Sequence, residues 1–272
     1  MPVWKLTLEY HGSRYRGWQS QDNARTVQGI LSAAASAYFG APVELGGAGR
    51  TDAGVHALQQ VAHLRAAIAR PPAAILEGLN HRLPAAINVI SVEAAPERFH
   101  ARHDAVGRYY LYQISLRRTA LGKEMVWWIK DPLDLEKMEQ AVGLLPGMHD
   151  FRIYQDRRIE PEKSTLVEIQ AAQMGRSGEL IMIRLGASHF LWRMVRRLVG
   201  VLVKVGMGRF SLEEFERTLD GTGPDVAEWT APASGLFLER VLYPGDAPPQ
   251  RLDPVIRISS IERSAGATRR DF

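Results

Sequence analysis

The chain has 272 residues, 34 Lys and Arg against 30 Asp and Glu, a net charge of +4 and no cysteine. That length suits one large domain or two of about 100–130 residues, and the lack of cysteine excludes a disulfide framework, thiolate metal sites and thiol catalysis and fits a reducing compartment. No apolar run reaches the ~18 residues of a membrane span, and Met1–Leu6 alternates like a strand instead of forming a signal-peptide core, so a cytoplasmic protein is expected.

In chain order, Val3–Glu9 alternates as a strand, and Thr26 can cap a helix ending at Phe39, with Gly40 and Pro42 as stop signals. A further strand leads into a glycine-rich stretch, and Val55–Leu64 has strand periodicity. Pro71 and Pro72 can open a helix over Ala73–Arg82, and Ile87–Ala94 is a strand rich in β-branched residues. Arg108–Ser115 alternates strongly, and Asp134 can cap a helix over Leu135–Leu144. Thr165–Gln173 and Leu180–Leu185 flank Gly175-Arg176-Ser177-Gly178, a hairpin signal. A long helix is expected over His189–Val205, a shorter one over Leu212–Leu219 opened by Ser211, and a last strand over Gly235–Leu242. Tyr154–Lys163 reads as a charge-rich loop.

The order βαββαβ thus occurs twice, the second time with one extra helix, which is the ferredoxin-like arrangement. The expected fold class is α+β, with two ferredoxin-like halves over residues 1–105 and 106–244. A flexible tail over 245–272 carries Pro248, Pro249, Pro254 and Arg269-Arg270.

Three stretches carry candidate chemistry. In Gly46-Gly47-Ala48-Gly49-Arg50-Thr51-Asp52-Ala53-Gly54-Val55-His56, a carboxylate lies beside a guanidinium on a loop whose glycines let a ligand approach the backbone. Arg50 would hold Asp52 ionised, which makes the acid a catalytic candidate. A dinucleotide fingerprint is excluded, because its third glycine position falls on Asp52, and no Gly-Lys-Ser/Thr exists for a phosphate loop. On a helical wheel of the long helix, Arg193, Arg196, Arg197 and Lys204 gather opposite Leu191, Met194, Val195, Leu198, Val201, Leu202 and Val205, with Gly200 among the cations. Four cations without an acid favour a phosphate track over a solvated face. Gly12-Ser13-Arg14-Tyr15-Arg16-Gly17-Trp18-Gln19 and the strand Arg108-Tyr109-Tyr110-Leu111-Tyr112 add arginines and aromatics that can stack on bases. No H-E-x-x-H or G-x-S-x-G occurs, and no metal is expected.

Gly49-Arg50-Thr51-Asp52-Ala53-Gly54-Val55-His56 resembles the signature of TruA-type tRNA pseudouridine synthases. So do Tyr10-His11-Gly12, Tyr15-x-Gly17-Trp18-Gln19-x-Gln21, Thr26-Val27-Gln28, Phe99-His100-Ala101-Arg102, Arg108-x-Tyr110-x-Tyr112, His149-Asp150-Phe151, Phe190-Leu191-x-x-Met194-Val195-Arg196 and Pro232-x-x-Gly235-Leu236-x-Leu238. His11 departs from the acid usual at its position. The resemblance implies two ferredoxin-like halves with joined antiparallel sheets and a central catalytic cleft. It implies cofactor-free isomerisation of uridine to pseudouridine at positions 38 to 40 of the tRNA anticodon stem-loop by a homodimer. It also implies that Asp52 is the nucleophile, that Tyr110 stacks on the target base and that Arg50 fills the space the base leaves. Asp52 or Tyr110 could take the C5 proton, and Asp52 could attack C1′, attack C6 or abstract a ribose proton. Competing readings are a non-catalytic RNA-binding protein on the same scaffold, a synthase with a different RNA target, and a Mg²⁺ nuclease using Asp52, Asp104 and Asp150.

Overall fold

The computed structural model describes residues 1–155 and 164–258. Its elements in chain order are β1 (Val3–Tyr10), α1 (Val27–Phe39), β2 (Glu44–Gly47), β3 (His56–Arg65), α2 (Pro72–Asn80), β4 (Ile87–Ala95), β5 (Gly107–Ser115), β6 (Trp127–Trp128), α3 (Leu135–Gly143), β7 (Gly147–Asp150), β8 (Leu166–Ser177), β9 (Leu180–Ala187), α4 (Met194–Gly206), α5 (Leu212–Leu219) and β10 (Leu236–Leu242). The helix starts follow their expected caps. Thr26 Oγ1 accepts from the Gly29 N–H at 3.3 Å, Asp134 Oδ1 accepts from the Lys137 N–H at 3.1 Å, and Ser211 and Glu214 form a reciprocal capping box. Gly40 ends α1 in the left-handed region at φ 70°.

All ten strands among the described residues share one sheet, in the order β4-β1-β3-β10-β5-β9-β8-β7, with β2 on β3 and β6 on β5. Each half has the ferredoxin-like strand order 4-1-3-2: β4-β1-β3-β2, then β10-β5-β9-β8. The short strands β6 and β7 are additions that the sequence did not lead us to expect. The halves join through a parallel pairing of Phe237 and Leu238 with His56 and Ala57. This contact is short because β2 occupies the other end of the same β3 edge, opposite residues 62–65. The last strand among the described residues, β10, therefore lies at the middle of the sheet, against the end of the glycine-rich loop.

Alternation along the strands sorts the core. Leu6, Leu8 and Leu64 of the sheet pack with Leu31 of α1 and Ile75 and Leu79 of α2, and Ile181 and Ile183 pack with Met138, Leu198, Leu202 and Phe215 of α3, α4 and α5. Tyr110 on β5 touches both clusters. The intervening residues Leu111, Met182 and Phe237 face the other side of the sheet, where Leu252, Val255 and Met125 cover them. There Arg184, 1% exposed, holds Glu239 with two hydrogen bonds of 2.7 and 2.6 Å and donates to the Gln173 amide oxygen and to the Pro249 and Arg251 carbonyls. The Val255 N–H donates to Gln113 Oε1 at 2.6 Å. Residues 245–258, expected to be a flexible tail, are thus docked. The cause is a buried cation and an apolar strip that would otherwise meet water. Residues 259–272, and most of the charge-rich loop after Tyr154, lie outside the described residues.

Candidate active site

The glycine-rich loop is tied to its surroundings almost residue by residue. The Ala48 N–H donates to Val61, and the Ala48 carbonyl accepts from Arg108. The Gly49 carbonyl accepts from Gln60 Nε2 at 3.0 Å. Thr51 is buried, with its hydroxyl 2.8 Å from the Tyr10 hydroxyl and its carbonyl accepting from the Trp18 N–H at 3.0 Å. Burial pushes the Tyr10 phenol well above its ordinary range, so it stays a neutral partner there. A turn follows in which the Val55 N–H donates to the Asp52 carbonyl at 3.1 Å, and Gly54 takes φ 84°, as a type II turn requires at its third residue. This turn aims the Asp52 side chain out of the N-terminal half toward the start of α4.

There the carboxylate meets two donors from the other half. Trp192 Nε1–H donates to Oδ1 at 2.8 Å, and an Arg196 guanidinium N–H donates to Oδ2 at 3.2 Å. Arg196 is itself clamped, because its Nε–H donates to the Ala231 carbonyl at 2.7 Å while its own carbonyl accepts from the Ala231 N–H at 3.0 Å. The Asp52 side chain keeps 23% of its surface exposed, enough to meet a ligand. Tyr110 stands beside it on β5, edge-on to Phe190 with ring centroids 5.3 Å apart. Burial, reinforced by the Asp52 charge, raises its phenol to about 12.

One face of β5 builds much of this site. Arg108, Tyr110 and Tyr112 alternate onto the helix side of the sheet. Arg108 donates to the carbonyls of Ala48, Arg102, Ala105 and Ser188, which fixes the base of the Asp52 loop and the loop that carries Trp192. Tyr112 donates to the Pro232 carbonyl at 2.8 Å, next to the residue that holds Arg196.

The structure brings Asp52, Tyr110 and Arg196 together, but it corrects two expectations. Arg50 is exposed and does not pair with Asp52, because the turn after Asp52 points the acid away from it. The cation at Asp52 is Arg196, assigned from sequence to a phosphate track. The four cations do not form one open face: Arg196 is engaged by Asp52 and Arg197 is buried, while Arg193 and Lys204 stay half-buried. Arg197 is 4% exposed and donates to the Tyr154 carbonyl at 3.1 Å, and Lys204 lies over the Trp229 ring. The cause is Gly200, which lets residues 227–231 lie directly on α4. A Cβ at that position would fall 1.5 Å from the Trp229 carbonyl oxygen. A glycine within a cationic helix face was the available signal for such a close approach.

The long helix also begins later than expected, at Met194. Arg193 takes the left-handed conformation at φ 63° and stops the first turn from forming, so residues 188–193 form a loop that carries Phe190 and Trp192 to the site. Arg193 lies with its guanidinium 5.0 Å from the centroid of the Trp192 ring. Arg14 is exposed and lines a groove with Ser13, Arg16, Asn23 and Arg25 that opens beside Ala53 and Gly54. Sequence reasoning missed Trp192 as a site residue. Asp104 accepts from the His100 N–H and Asp150 pairs with Arg152, so neither converges on Asp52. Among the described residues, no group of three His, Asp or Glu side chains is placed to hold a metal ion.

Residues 7–104 and 141–244 match the tRNA pseudouridine synthase family. The tRNA pseudouridine synthase A of Maricaulis maris (strain MCS10) is 42% identical over 250 residues, covering 91% of this chain and 100% of the relative. That of Nitrobacter hamburgensis (strain DSM 10229 / NCIMB 13809 / X14) is 42% identical over 249 residues, covering 89% and 100%. That of Beijerinckia indica subsp. indica (strain ATCC 9039 / DSM 1715 / NCIMB 8712) is 39% identical over 257 residues, covering 93% and 98%. A chain matched across both halves, with one carboxylate held between them beside a tyrosine, belongs to the tRNA pseudouridine synthase family.

Proposed function

We propose that this protein isomerises uridine to pseudouridine at positions 38 to 40 of the tRNA anticodon stem-loop, with Asp52 as the nucleophile. The observation that carries this reading is the Asp52 carboxylate, partly open to solvent, gripped by Trp192 and Arg196 from the opposite half and flanked by Tyr110. Family membership supports the reaction class, and the names of the relatives support tRNA as the substrate.

A uracil inside a stem cannot reach a carboxylate, so the target nucleotide leaves the stack at a cost of a few kcal/mol. Stacking on Tyr110 offsets part of that cost. Arg50, exposed on the same loop, is free to fill the vacated space in the stem. The phenol of Tyr110, raised to about 12, is protonated at neutral pH. It therefore presents an uncharged ring on which the flipped base can stack. The cations that meet phosphate are Arg14, Arg16 and Arg25, which share the groove beside Ala53 and Gly54 with no acid in its lining. Close resemblance to the TruA type also implies a homodimer, checked by sedimentation.

The test is tritium release from unmodified tRNA labelled with [5-³H]uridine, in EDTA, by wild type and Asp52→Ala. Release by wild type alone, with tRNA affinity nearly unchanged in the variant, is the expected result. Release by Asp52→Ala would overturn the assignment. Tight binding with no release by wild type would favour the RNA-binding reading.

A further inference from the structure

Trp192 is a large aromatic side chain left 38% exposed next to the reactive acid, and its single polar atom points at that acid. The two Asp52 oxygens have different donors: the indole N–H on Oδ1 at 2.8 Å and the Arg196 guanidinium on Oδ2 at 3.2 Å. A carboxylate has about four lone-pair positions, so one donor on each oxygen leaves a free lone pair on each. With a donor on only one oxygen, the group can still swing about its Cβ–Cγ bond. With one on each, its plane is fixed and the remaining lone pairs keep a constant direction.

Both donors are themselves held. Arg196 is clamped to Ala231. Trp192 precedes Arg193, the one non-glycine residue with positive φ among those described, and Arg193 lies against the indole ring. Left-handed backbone costs an ordinary residue roughly 1 kcal/mol or more, and such strain gathers where a site needs a particular geometry. Here it breaks what would be the first turn of α4 and leaves the indole beside Asp52.

We propose that Trp192 is a positioning residue for the isomerisation: its indole N–H, acting jointly with Arg196, locks the plane of the Asp52 carboxylate toward the incoming nucleotide. This rests on Asp52 being the reacting group. The geometry required for attack is narrow, and a misplacement of the order of 1 Å costs up to a hundredfold.

Trp192→Phe keeps an aromatic ring against Arg193 but removes the N–H, and Trp192→His restores a donor. The measurement is the single-turnover rate of tritium release from [5-³H]uridine tRNA at saturating enzyme, alongside the tRNA Kd by filter binding and the melting temperature. Trp192→Phe is expected to slow release about tenfold, the scale of one lost charge-assisted hydrogen bond. Its Kd should stay within twofold and its melting temperature should not change, while Trp192→His recovers part of the rate. An unchanged rate in Trp192→Phe would overturn the proposal. So would a weakened Kd with an unchanged rate, which would make the ring an RNA contact. Should Asp52→Ala itself release tritium, the failure lies with the proposed nucleophile, whatever Trp192→Phe does.

Discussion

Acidification should unlock the site through His56, and the size of the effect follows from its surroundings. His56 ends the Asp52 loop and is 1% exposed. Its Nδ1 accepts from the Gly12 N–H at 3.1 Å, which puts its own proton on Nε2, where it donates to the Glu124 carbonyl at 2.8 Å. One neutral ring thus ties together the Asp52 loop, the arginine-bearing loop after β1 and the turn before β6, while stacking on Phe237 where the halves join. Burial lowers its pKa from 6.5 to about 4. The nearby His11 adds to the shift, and the Glu124 carbonyl and side chain oppose it. A histidine whose folded pKa lies below its unfolded value contributes stability that is fully present above about pH 6.5 and is lost as pH falls toward 4. Between pH 7 and pH 4.5 this one group should cost about 2 kcal/mol. Urea unfolding at both pH values, for wild type and His56→Gln, checks it. Glutamine offers an acceptor and a donor but does not titrate. His63 and His100, also lowered by burial, are common to both proteins and cancel in the comparison. Wild type should lose about 2 kcal/mol more than the variant over that interval. Equal losses would refute the reasoning and return His56 to a role in packing alone.

Four further outcomes follow from the packing. Arg197→Ala should destabilise by about 2 kcal/mol, because it empties a buried site and strands the Tyr154 carbonyl, and it should leave the salt dependence of tRNA binding unchanged. A flattened salt slope would restore the phosphate-track reading. Gly200→Ala forces residues 227–231 off α4 and releases Arg196 from Ala231, so both melting temperature and turnover should fall, as calorimetry and tritium release would report. Glu239→Leu leaves the Arg184 charge buried without its acid and should cost roughly 3 kcal/mol in chemical denaturation. Ending the chain after Pro244 should also lower the melting temperature by uncovering Leu111, Met182 and Phe237, whereas removing a merely loose tail would not.

Local signals fixed the element order, since they act over a few residues. Thr26, Asp134 and Ser211 opened the helices they were expected to open, and period-two alternation located β1, β3, β5 and β10 within a residue or two. The octapeptide singled out Asp52 as the candidate acid. What sequence could not supply was the company that acid keeps. Helical-wheel reasoning sees only which face of α4 is polar. It does not see that Gly200 allows a distant segment to pack against that face, nor that Arg193 breaks the first turn. The proximity of Arg50 in sequence suggested a partner, yet the partners at Asp52 lie 140 and 144 residues away. The docked segment 245–258 likewise depends on Arg184 and Glu239, whose pairing exists only once β9 and β10 share a sheet. The sequence by itself determined the periodicities, the caps and the candidate acid. The tertiary structure decided which charge faces which, because that choice depends on contacts between the two halves that no local pattern encodes.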